Sequence, residues 1–324
     1  MMPLRQLGAG GPTVGAIGLG CGGMSSVLPR NDAEAIGTIH AALDAGVTLL
    51  DTADFYGMGH NEAVIGRAIR DRRDAAMISV KTGALFDPAG RFVGIDGRPA
   101  SVKAFAAWSL QRLGVDVIDL YQVGRADPAV PYEDTIGAIV DLIAQGKVRY
   151  LGVSEVRAEL LHRAHAVHPV AAIEIEYSLA CRLIEAEILP AARSVGAAVV
   201  AYRVLADGLL SGAVTTATPI GHLTPSRAQG DDLAANLATI AALTDMAAAK
   251  GCTSAQLAVA WLLTRGDDII ALAGTRSRVR LSENLAALDV SLSTAELAEL
   301  DRTFAPGAIR GDRYPAFVLQ YVAR

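Results

Sequence analysis

Three titratable side chains of the sequence have the types and the spacing for proton transfer. Asp51 and Tyr56 follow one short apolar segment, and Lys81 ends the next. If both segments are strands of one parallel sheet, their carboxyl ends share a face. Lys81 can then pair with Asp51 and lower the pKa of the Tyr56 phenol, which makes the phenol a proton donor near neutral pH. The alternative is a plain salt bridge that closes the top of the sheet.

A regular alternation of apolar and amphipathic segments along the chain must position these residues. Eight such pairs predict an α/β fold of the (β/α)8 TIM barrel type, whose functional residues lie at the carboxyl ends of the strands. The predicted strands are 16–20, 47–52, 76–81, 116–122, 148–154, 171–177, 198–202 and 268–273. The predicted helices are 32–45, 61–70, 101–113, 132–145, 158–166, 185–194, 254–264 and 278–287.

Other parts of the chain fall outside this alternation. An N-terminal hairpin is predicted over 5–14, and two additional helices over 233–249 and 293–304. The stretches 83–99 and 212–231 follow strand ends and are predicted to be functional loops. No linker composition interrupts the chain, so 1–324 is interpreted as a single domain. Capping boxes are predicted at Asn31/Glu34, Thr253/Gln256 and Ser293/Glu296.

Composition narrows the function classes. The 324 residues are 52% hydrophobic and 19% charged, with a net charge of −5, which predicts a folded core and argues against a nucleic-acid binder. No apolar run approaches the roughly 18 residues of a membrane span, and no export signal is evident. Cys21, Cys181 and Cys252 are scattered, without metal-ligand spacing. We expect a cytoplasmic protein without a metal that acts on a small molecule; its oligomeric state is open.

The glycines between Gly18 and Gly23 match the G-x-G-x-x-G dinucleotide pattern. That pattern works only when a helix opens at the last glycine, because the helix N-terminus holds the pyrophosphate. Pro29 and the Asn31 cap delay the predicted helix to about Asp32, which leaves some eight loop residues in between. We therefore interpret the glycines as a tight turn, whose bare backbone a ligand can still approach.

Six motifs in order resemble those of the aldo-keto reductases over almost the whole chain. They are residues 50–57 (LDTADFYG), 79–82 (SVKT), 152–155 (GVSE), 176–179 (EYSL), 208–212 (GLLSG), and 274–276 (GTR) with Arg280, Glu283 and Asn284. The resemblance implies an NADPH-dependent carbonyl reductase on a barrel, without metal or flavin. It places the proton-donating tyrosine at Tyr56 and its supporting residues at Asp51 and Lys81. The rival short-chain reductases need Tyr-x-x-x-Lys, which this chain lacks.

The same resemblance implies a set of cofactor-binding residues. Tyr177 would stack on the nicotinamide, and Ser154 would lie near its carboxamide. The full set is Gly22, Gly23, Asp51, Ser154, Glu174, Tyr177, Arg203, Leu205, Gly274, Thr275, Arg276, Arg280, Glu283 and Asn284, of which the last six would hold the adenosine phosphate end. Because Arg276 and Arg280 lie at the start of the last barrel helix and could receive a 2′-phosphate, we expect NADPH to be preferred over NADH.

The chain departs from the family pattern at three positions. The histidine that usually helps to polarise the substrate carbonyl is replaced by Gly124, the usual Ser-Pro pair by Arg203-Val204, and the glutamine beneath the nicotinamide by Glu174. Branches that resemble pyridoxal reductases also lack the histidine. We expect Gly124 to leave space in the substrate pocket.

Arg203 is the main candidate to replace the missing donor, since a guanidinium could donate to an oxyanion. The alternative is a salt bridge from Arg203 to Asp207 or to cofactor phosphate. His60 is a second candidate, and His222 a third. The predicted reaction is reduction of an aldehyde or ketone. The alternatives are reduction of a C=C or imine bond, and a catalytically impaired NADPH-binding regulatory protein.

Overall fold

The computed structural model describes residues 2–26, 28–218 and 224–323 of the chain. Eight parallel strands close into a barrel in the order β3-β4-β5-β8-β9-β10-β11-β12, and β12 pairs with β3 to complete the ring. The strands within these residues are β1 Leu4–Gln6, β2 Thr13–Gly15, β3 Ile17–Gly20, β4 Leu49–Ala53, β5 Met77–Thr82, β6 Ala84–Phe86, β7 Phe92–Ile95, β8 Ile118–Val123, β9 Val148–Ser154, β10 Val170–Glu176, β11 Ala198–Tyr202 and β12 Ile269–Gly274.

Helices cover the outside of the barrel. Their apolar faces pack on the outward-facing strand residues in one large cluster that includes Ile39, Ile139 and Trp261. The helices are α1 Gly23–Ser26, α2 Asp32–Asp44, α3 His60–Ile69, α4 Pro99–Leu113, α5 Tyr132–Ala144, α6 Ala158–Val167, α7 Ile188–Ser194, α8 Gly230–Lys250, α9 Ser254–Leu263, α10 Arg278–Leu285, α11 Thr294–Thr303 and α12 Ala316–Leu319. The predicted barrel, hairpin and additional helices are confirmed. The interpretation of the chain as a single domain remains a prediction.

The antiparallel hairpin of β1 and β2 closes the amino-terminal end of the barrel. Its Leu7 and Val14 join a second apolar cluster with inward-facing strand residues such as Leu49 and Leu120. Arg5 fixes the hairpin to the barrel by donating to the carbonyl oxygens of Ile269 and Leu263. Because this end is filled by side chains, the carboxyl ends of the strands are left for a site.

The loop predicted over 83–99 contains an antiparallel hairpin of β6 and β7. Asp87 stabilises its turn, because its carboxylate accepts from the backbone N–H groups of Ala89 and Arg91 at 2.9 Å each. The prediction of a loop over this stretch did not include these two strands. Strands of three and four residues carry too little periodicity to predict them from the sequence.

Two other local predictions need correction. The capping boxes at Thr253 and Ser293 are complete, but at Asn31 only half forms. Asn31 accepts from the Glu34 N–H, whereas the Glu34 carboxylate pairs with Arg278 at 3.1 Å. The short helix α1 begins directly at Gly23, so the glycines are not followed by eight residues of loop. With four residues, α1 is a single turn rather than the long helix that the dinucleotide pattern requires.

Within the described residues, no helix is long and apolar enough to cross a membrane. The same residues contain no group of three or more His, Cys, Asp or Glu side chains arranged to hold a metal ion.

Candidate active site

The carboxyl halves of β4, β5, β8 and β10 bring a buried ionic cluster together inside the barrel. Lys81 at the end of β5 contacts Asp51 of β4 at 2.5 Å (Nζ to Oδ2) and Glu174 of β10 at 3.0 Å (Nζ to Oε1). Ser79 donates to Asp51 Oδ1 at 2.9 Å, and Gln122 donates to both Ser79 and Glu174 at 2.7 and 2.8 Å. All five side chains are buried. The predicted Asp51–Lys81 pair is present, and Glu174 joins it.

This cluster contains one ammonium group and two carboxyl groups, and their pKa values reflect that imbalance. Burial raises the pKa of Asp51 to about 8, with a further rise from Glu174 and an opposing effect from Lys81. Burial favours the neutral amine of Lys81, but Asp51 and Glu174 outweigh it and raise the Lys81 pKa above its usual value. The lysine is therefore charged, and the two carboxyl groups compete for it.

Tyr56 lies in the loop after β4, with Lys81 Nζ 5.4 Å from the centre of its ring. Its pKa is raised to about 12 by burial, with Asp51 and Glu174 adding to the rise and Lys81 opposing it. Lys81 lowers the pKa of this phenol as expected, but burial together with Asp51 and Glu174 outweighs that effect, so the net pKa is raised rather than brought near neutrality. The phenol consequently keeps its proton across the physiological pH range, as a proton donor must.

Gly124 directly follows β8, and its N–H donates to the Thr82 carbonyl oxygen at 2.9 Å. A Cβ atom at this position would lie 2.8 Å from that oxygen and 3.7 Å from the Lys81 Cβ. The backbone of β5 therefore already occupies the place that a side chain would need. The expectation that Gly124 leaves free space in the pocket was wrong, since a larger residue requires the strand ends to shift.

Arg203 follows β11 in the left-handed backbone region, with φ of 51°. Its guanidinium pairs with Asp207 at 3.1 Å, donates to the Arg313 carbonyl at 2.7 Å and lies 4.1 Å from the centre of the Tyr314 ring. Arg203 was expected either to donate to an oxyanion or to form a salt bridge, and the structure contains the salt bridge to Asp207. Its donors are engaged by protein groups.

His60 starts α3, but it is held on the outer side of the loop. Its Nδ1 lies 2.9 Å from Ser25 Oγ, and its Nε2 lies 3.2 Å from Asp32 Oδ1. Both ring nitrogens are therefore occupied, which does not support a role for His60 in place of the missing donor. His222 lies outside the described residues.

The glycines of the candidate cofactor site lie along the seam between β3 and β12. Gly20 pairs with Gly274, and a Cβ atom on Gly20 would lie 3.3 Å from the Gly274 Cα. A Cβ atom on Gly22 would lie 3.0 Å from the Tyr56 ring, whereas one on Gly23 would meet nothing within 4 Å. Gly22 therefore packs closely against the Tyr56 ring, and open space begins at Gly23.

The predicted phosphate-binding residues surround the start of α10. Arg276 precedes the helix and donates to the Pro29 carbonyl at 3.3 Å, while Arg280 lies in its first turn; both are exposed. Thr275 is buried and turns the chain into the helix, because its Oγ1 accepts from the Ser277 N–H at 3.1 Å. The remaining members on this side are Glu283, which is half-buried, Asn284, which is buried, and Leu205, which is half-buried beyond β11.

Two residues expected to contact the nicotinamide are deeply buried. Tyr177 is 1% exposed; its hydroxyl donates to Glu185 at 2.7 Å and its ring packs edge-on against Trp261 at 5.7 Å. Stacking on a ligand would require this ring to uncover a face, so its role stays a prediction. Ser154 ends β9 and lies 3.3 Å from Arg125 Nη1.

Sequence reasoning missed a network that covers the barrel mouth. The segment 311–323, called the C-terminal segment below, places Arg313 on the buried Glu155 at 2.9 and 2.5 Å. Tyr202 also donates to Glu155, at 2.6 Å, and its hydroxyl contacts that of Tyr314. Glu155 lies within the GVSE motif, but no local sequence pattern links it to an arginine 158 residues away.

A row of aromatic rings was also missed. Phe55 contacts Tyr56 edge-on at 5.1 Å and stacks on Phe86 of the β6–β7 hairpin at 5.7 Å. Phe86 contacts Phe92 at 5.8 Å, and Phe92 contacts Tyr321 of the C-terminal segment at 5.6 Å. The hairpin and the C-terminal segment thus form one continuous apolar wall beside Tyr56.

A match to a family model identifies the protein family of this chain. The model described as "Aldo/keto reductase family" matches residues 16–304, which include every barrel strand. The chain belongs to the aldo/keto reductase family.

Solved structures of other aldo/keto reductases superpose on nearly the whole chain. One is a glycerol dehydrogenase from Gluconobacter oxydans, with 31% identity, a TM-score of 0.83 and coverage of 95% of this chain and 97% of that one. Another is an aldo-keto reductase from Klebsiella pneumoniae in complex with NADPH, with 29% identity, a TM-score of 0.76 and coverage of 96% and 99%. A Klebsiella pneumoniae structure with NADP and acetate has 28% identity, a TM-score of 0.76 and coverage of 96% and 98%.

Proposed function

We propose that this aldo/keto reductase reduces an aldehyde or ketone with NADPH, and that Tyr56 donates the proton. The observation that carries the proposal is the placement of Tyr56 beside the buried Asp51–Lys81 pair at the carboxyl end of the barrel. The NADPH complex of the Klebsiella pneumoniae relative supports the choice of cofactor. We further propose that the chain belongs to a branch without the usual histidine and acts in the cytoplasm.

The residues of this chain fit such a cofactor. Gly22 packs against Tyr56, and the open space at the neighbouring Gly23 lets a ligand approach bare backbone there. Two exposed guanidinium groups, Arg276 and Arg280, flank the start of α10. Guanidinium groups near helix N–H donors suit a phosphate. When bound, NADPH supplies the hydride.

The protein's own part in the reaction is to move a proton and to stabilise charge. Tyr56 holds its proton because burial raises its pKa, and it donates that proton to the oxygen of the substrate carbonyl. Lys81 stabilises the phenolate that remains, and Asp51 holds Lys81 in place. Glu174 lies where the family pattern has a neutral glutamine, and it places a second carboxyl group beside Lys81.

Substrate-dependent NADPH oxidation tests this function. The compounds tested are aldehydes including pyridoxal, ketones including ketosugars, enones and cyclic imines. Each is tested with the wild-type protein and with Lys81→Met, which removes the ammonium group. We expect turnover of aldehydes or ketones and its loss in Lys81→Met. Turnover of enones or imines alone would instead indicate C=C or C=N reduction. Tight NADPH binding without turnover of any compound would favour the regulatory alternative.

A further inference from the structure

Arg125 lies at the barrel mouth, and the part of the chain that the structure describes gives it no carboxylate partner. It follows Gly124, donates to the Gly124 carbonyl and to Ser154 Oγ at 2.5 and 3.3 Å through Nη1, and donates to the Tyr314 hydroxyl at 3.3 Å through Nη2. Among the described residues, no carboxylate oxygen lies within 4 Å of its guanidinium nitrogens. All of its protein partners are neutral, so its charge is not compensated by direct contact.

The other arginines at the mouth all have acidic partners. Arg313 pairs with Glu155 at 2.5 Å, Arg227 pairs with Glu176 at 2.5 Å, and Arg203 pairs with Asp207 at 3.1 Å. With Arg125, four guanidinium groups share three carboxylates in this network. The excess positive charge is located at Arg125, because the three acids are held closest to the other arginines.

Arg125 is also close to the reacting groups. The residue before it hydrogen-bonds to Thr82, which directly follows Lys81 in β5. Tyr314, Tyr202, Glu155 and Tyr56 together keep the Arg125 pKa above its usual value, although burial opposes them. The side chain is half-buried rather than sealed, so a ligand at the mouth can reach it.

We propose that Arg125 binds an anionic group of the substrate, so that the preferred substrates are carbonyl compounds that carry a carboxylate. A planar guanidinium in a partly buried site pairs with a carboxylate through two parallel hydrogen bonds, which fixes orientation as well as position. The pairing holds the substrate's carbonyl near Tyr56. This inference rests on the proposed function of the site. It replaces Arg203, whose charge is already paired with the Asp207 carboxylate, with the arginine next to the departure at Gly124.

The test compares ω-oxo acids of four to six carbons, beginning with 4-oxobutanoate, with their methyl esters. The series varies the separation between carbonyl and carboxylate, and the two members of each pair differ in the negative charge and in one methyl group. With NADPH we expect kcat/KM of the wild-type protein to favour the acid over its ester by about 10- to 100-fold at one chain length or more. Arg125→Gln should abolish that preference, and Arg125→Lys should retain part of it. Arg163→Gln, which changes an exposed arginine on the outside of α6, is the control that keeps the wild-type ratio.

Calorimetry separates this inference from the proposed function. Titration of 4-oxobutanoate and its ester into the protein with NADP+ measures binding without reduction of the carbonyl. If the acid binds and Arg125→Gln abolishes binding while no carbonyl is reduced, the anion site stands and the proposed reaction fails. If carbonyls are reduced but no acid is preferred, or if Arg125→Gln keeps the preference, Arg125 is a structural partner of Tyr314 and the inference is overturned.

Discussion

At the scale of single residues, the cluster around Lys81 contains one more carboxyl group than its sequence motif predicts. Asp51 and Lys81 were predicted from their positions after two strands, and that pairing is present. The participation of Glu174 was not predicted, because β10 and β5 are not neighbours in the chain or in the sheet. Contact across the inside of a closed barrel depends on the radius and stagger of the barrel, which no local pattern encodes.

Tyr56→Phe tests the proton donor directly. The change removes one hydroxyl from a ring that packs between Phe55 and Gly22, so we expect little effect on folding. Loss of general-acid catalysis should reduce kcat for carbonyl reduction by about 10²- to 10⁴-fold. NADPH affinity, measured by fluorescence titration, should stay near the wild-type value. A Phe variant with normal kcat would show that the proton comes from another group.

Glu174→Gln tests the electrostatic role of the second carboxyl group. Glu174 raises the pKa values of both Asp51 and Tyr56, so its neutralisation should lower both. Ionisation of Asp51, with a pKa of about 8 in the wild-type protein, should then appear at lower pH in the profile of kcat between pH 5 and 10. An inflection at the same pH in both proteins would mean that Glu174 does not influence the cluster. Gln keeps the size of the side chain, so we expect the variant to fold. A variant that had lost its fold would lose kcat at every pH and would not show a shifted inflection.

At the scale of elements, the sequence predicts those whose signals are local and misses those that depend on partners far along the chain. The barrel strands were predicted because each is rich in apolar residues, and strands such as β4, β5 and β8 are buried on both faces. The β6–β7 hairpin was missed because its stabilising contacts run through Phe86 and Phe92 to distant aromatic rings. The half-formed cap of α2 has the same origin, since Glu34 is drawn to Arg278 of α10.

Arg276→Ala tests the start of α10 as a phosphate site. Loss of one charge-assisted contact typically costs about 1.5–3 kcal/mol, so NADPH affinity should fall by roughly 10- to 100-fold while NADH affinity stays nearly unchanged. Arg278→Ala is the matched control, because Arg278 lies two residues away and is engaged by Glu34. Fluorescence titration of both cofactors measures the effect. Equal weakening of NADPH and NADH would contradict a role for Arg276 at the 2′-phosphate.

At the scale of the whole molecule, the C-terminal segment stabilises the barrel mouth through one buried ion pair. Arg313 and Glu155 are 8% and 4% exposed, and Arg313 also donates to the Ala323 carbonyl at 2.7 Å. Burial alone would raise the pKa of Glu155, but Arg313 holds it below its usual value. The carboxylate is therefore charged in the interior and depends on its partner.

Arg313→Gln should leave the Glu155 charge buried without that partner. Removal of one member of a buried ion pair typically costs about 3–5 kcal/mol, so the free energy of unfolding in urea should fall by that order. Arg163→Gln, which breaks an exposed pair with Glu133, should unfold close to the wild-type midpoint. A similar, small effect of both changes would indicate that water enters the mouth and replaces Arg313.

The seam between β3 and β12 joins the two ends of the barrel sequence, and Gly20 meets Gly274 there. A ligand held across this seam contacts both edges at once, so it binds only while the ring is closed. Its binding free energy is then added to the cost of opening: at a free concentration one hundred times its Kd, the closed form gains about 2.7 kcal/mol. Bound NADPH would stabilise the closed barrel, and the backbone amides of β3 and β12 would exchange their hydrogens more slowly in its presence.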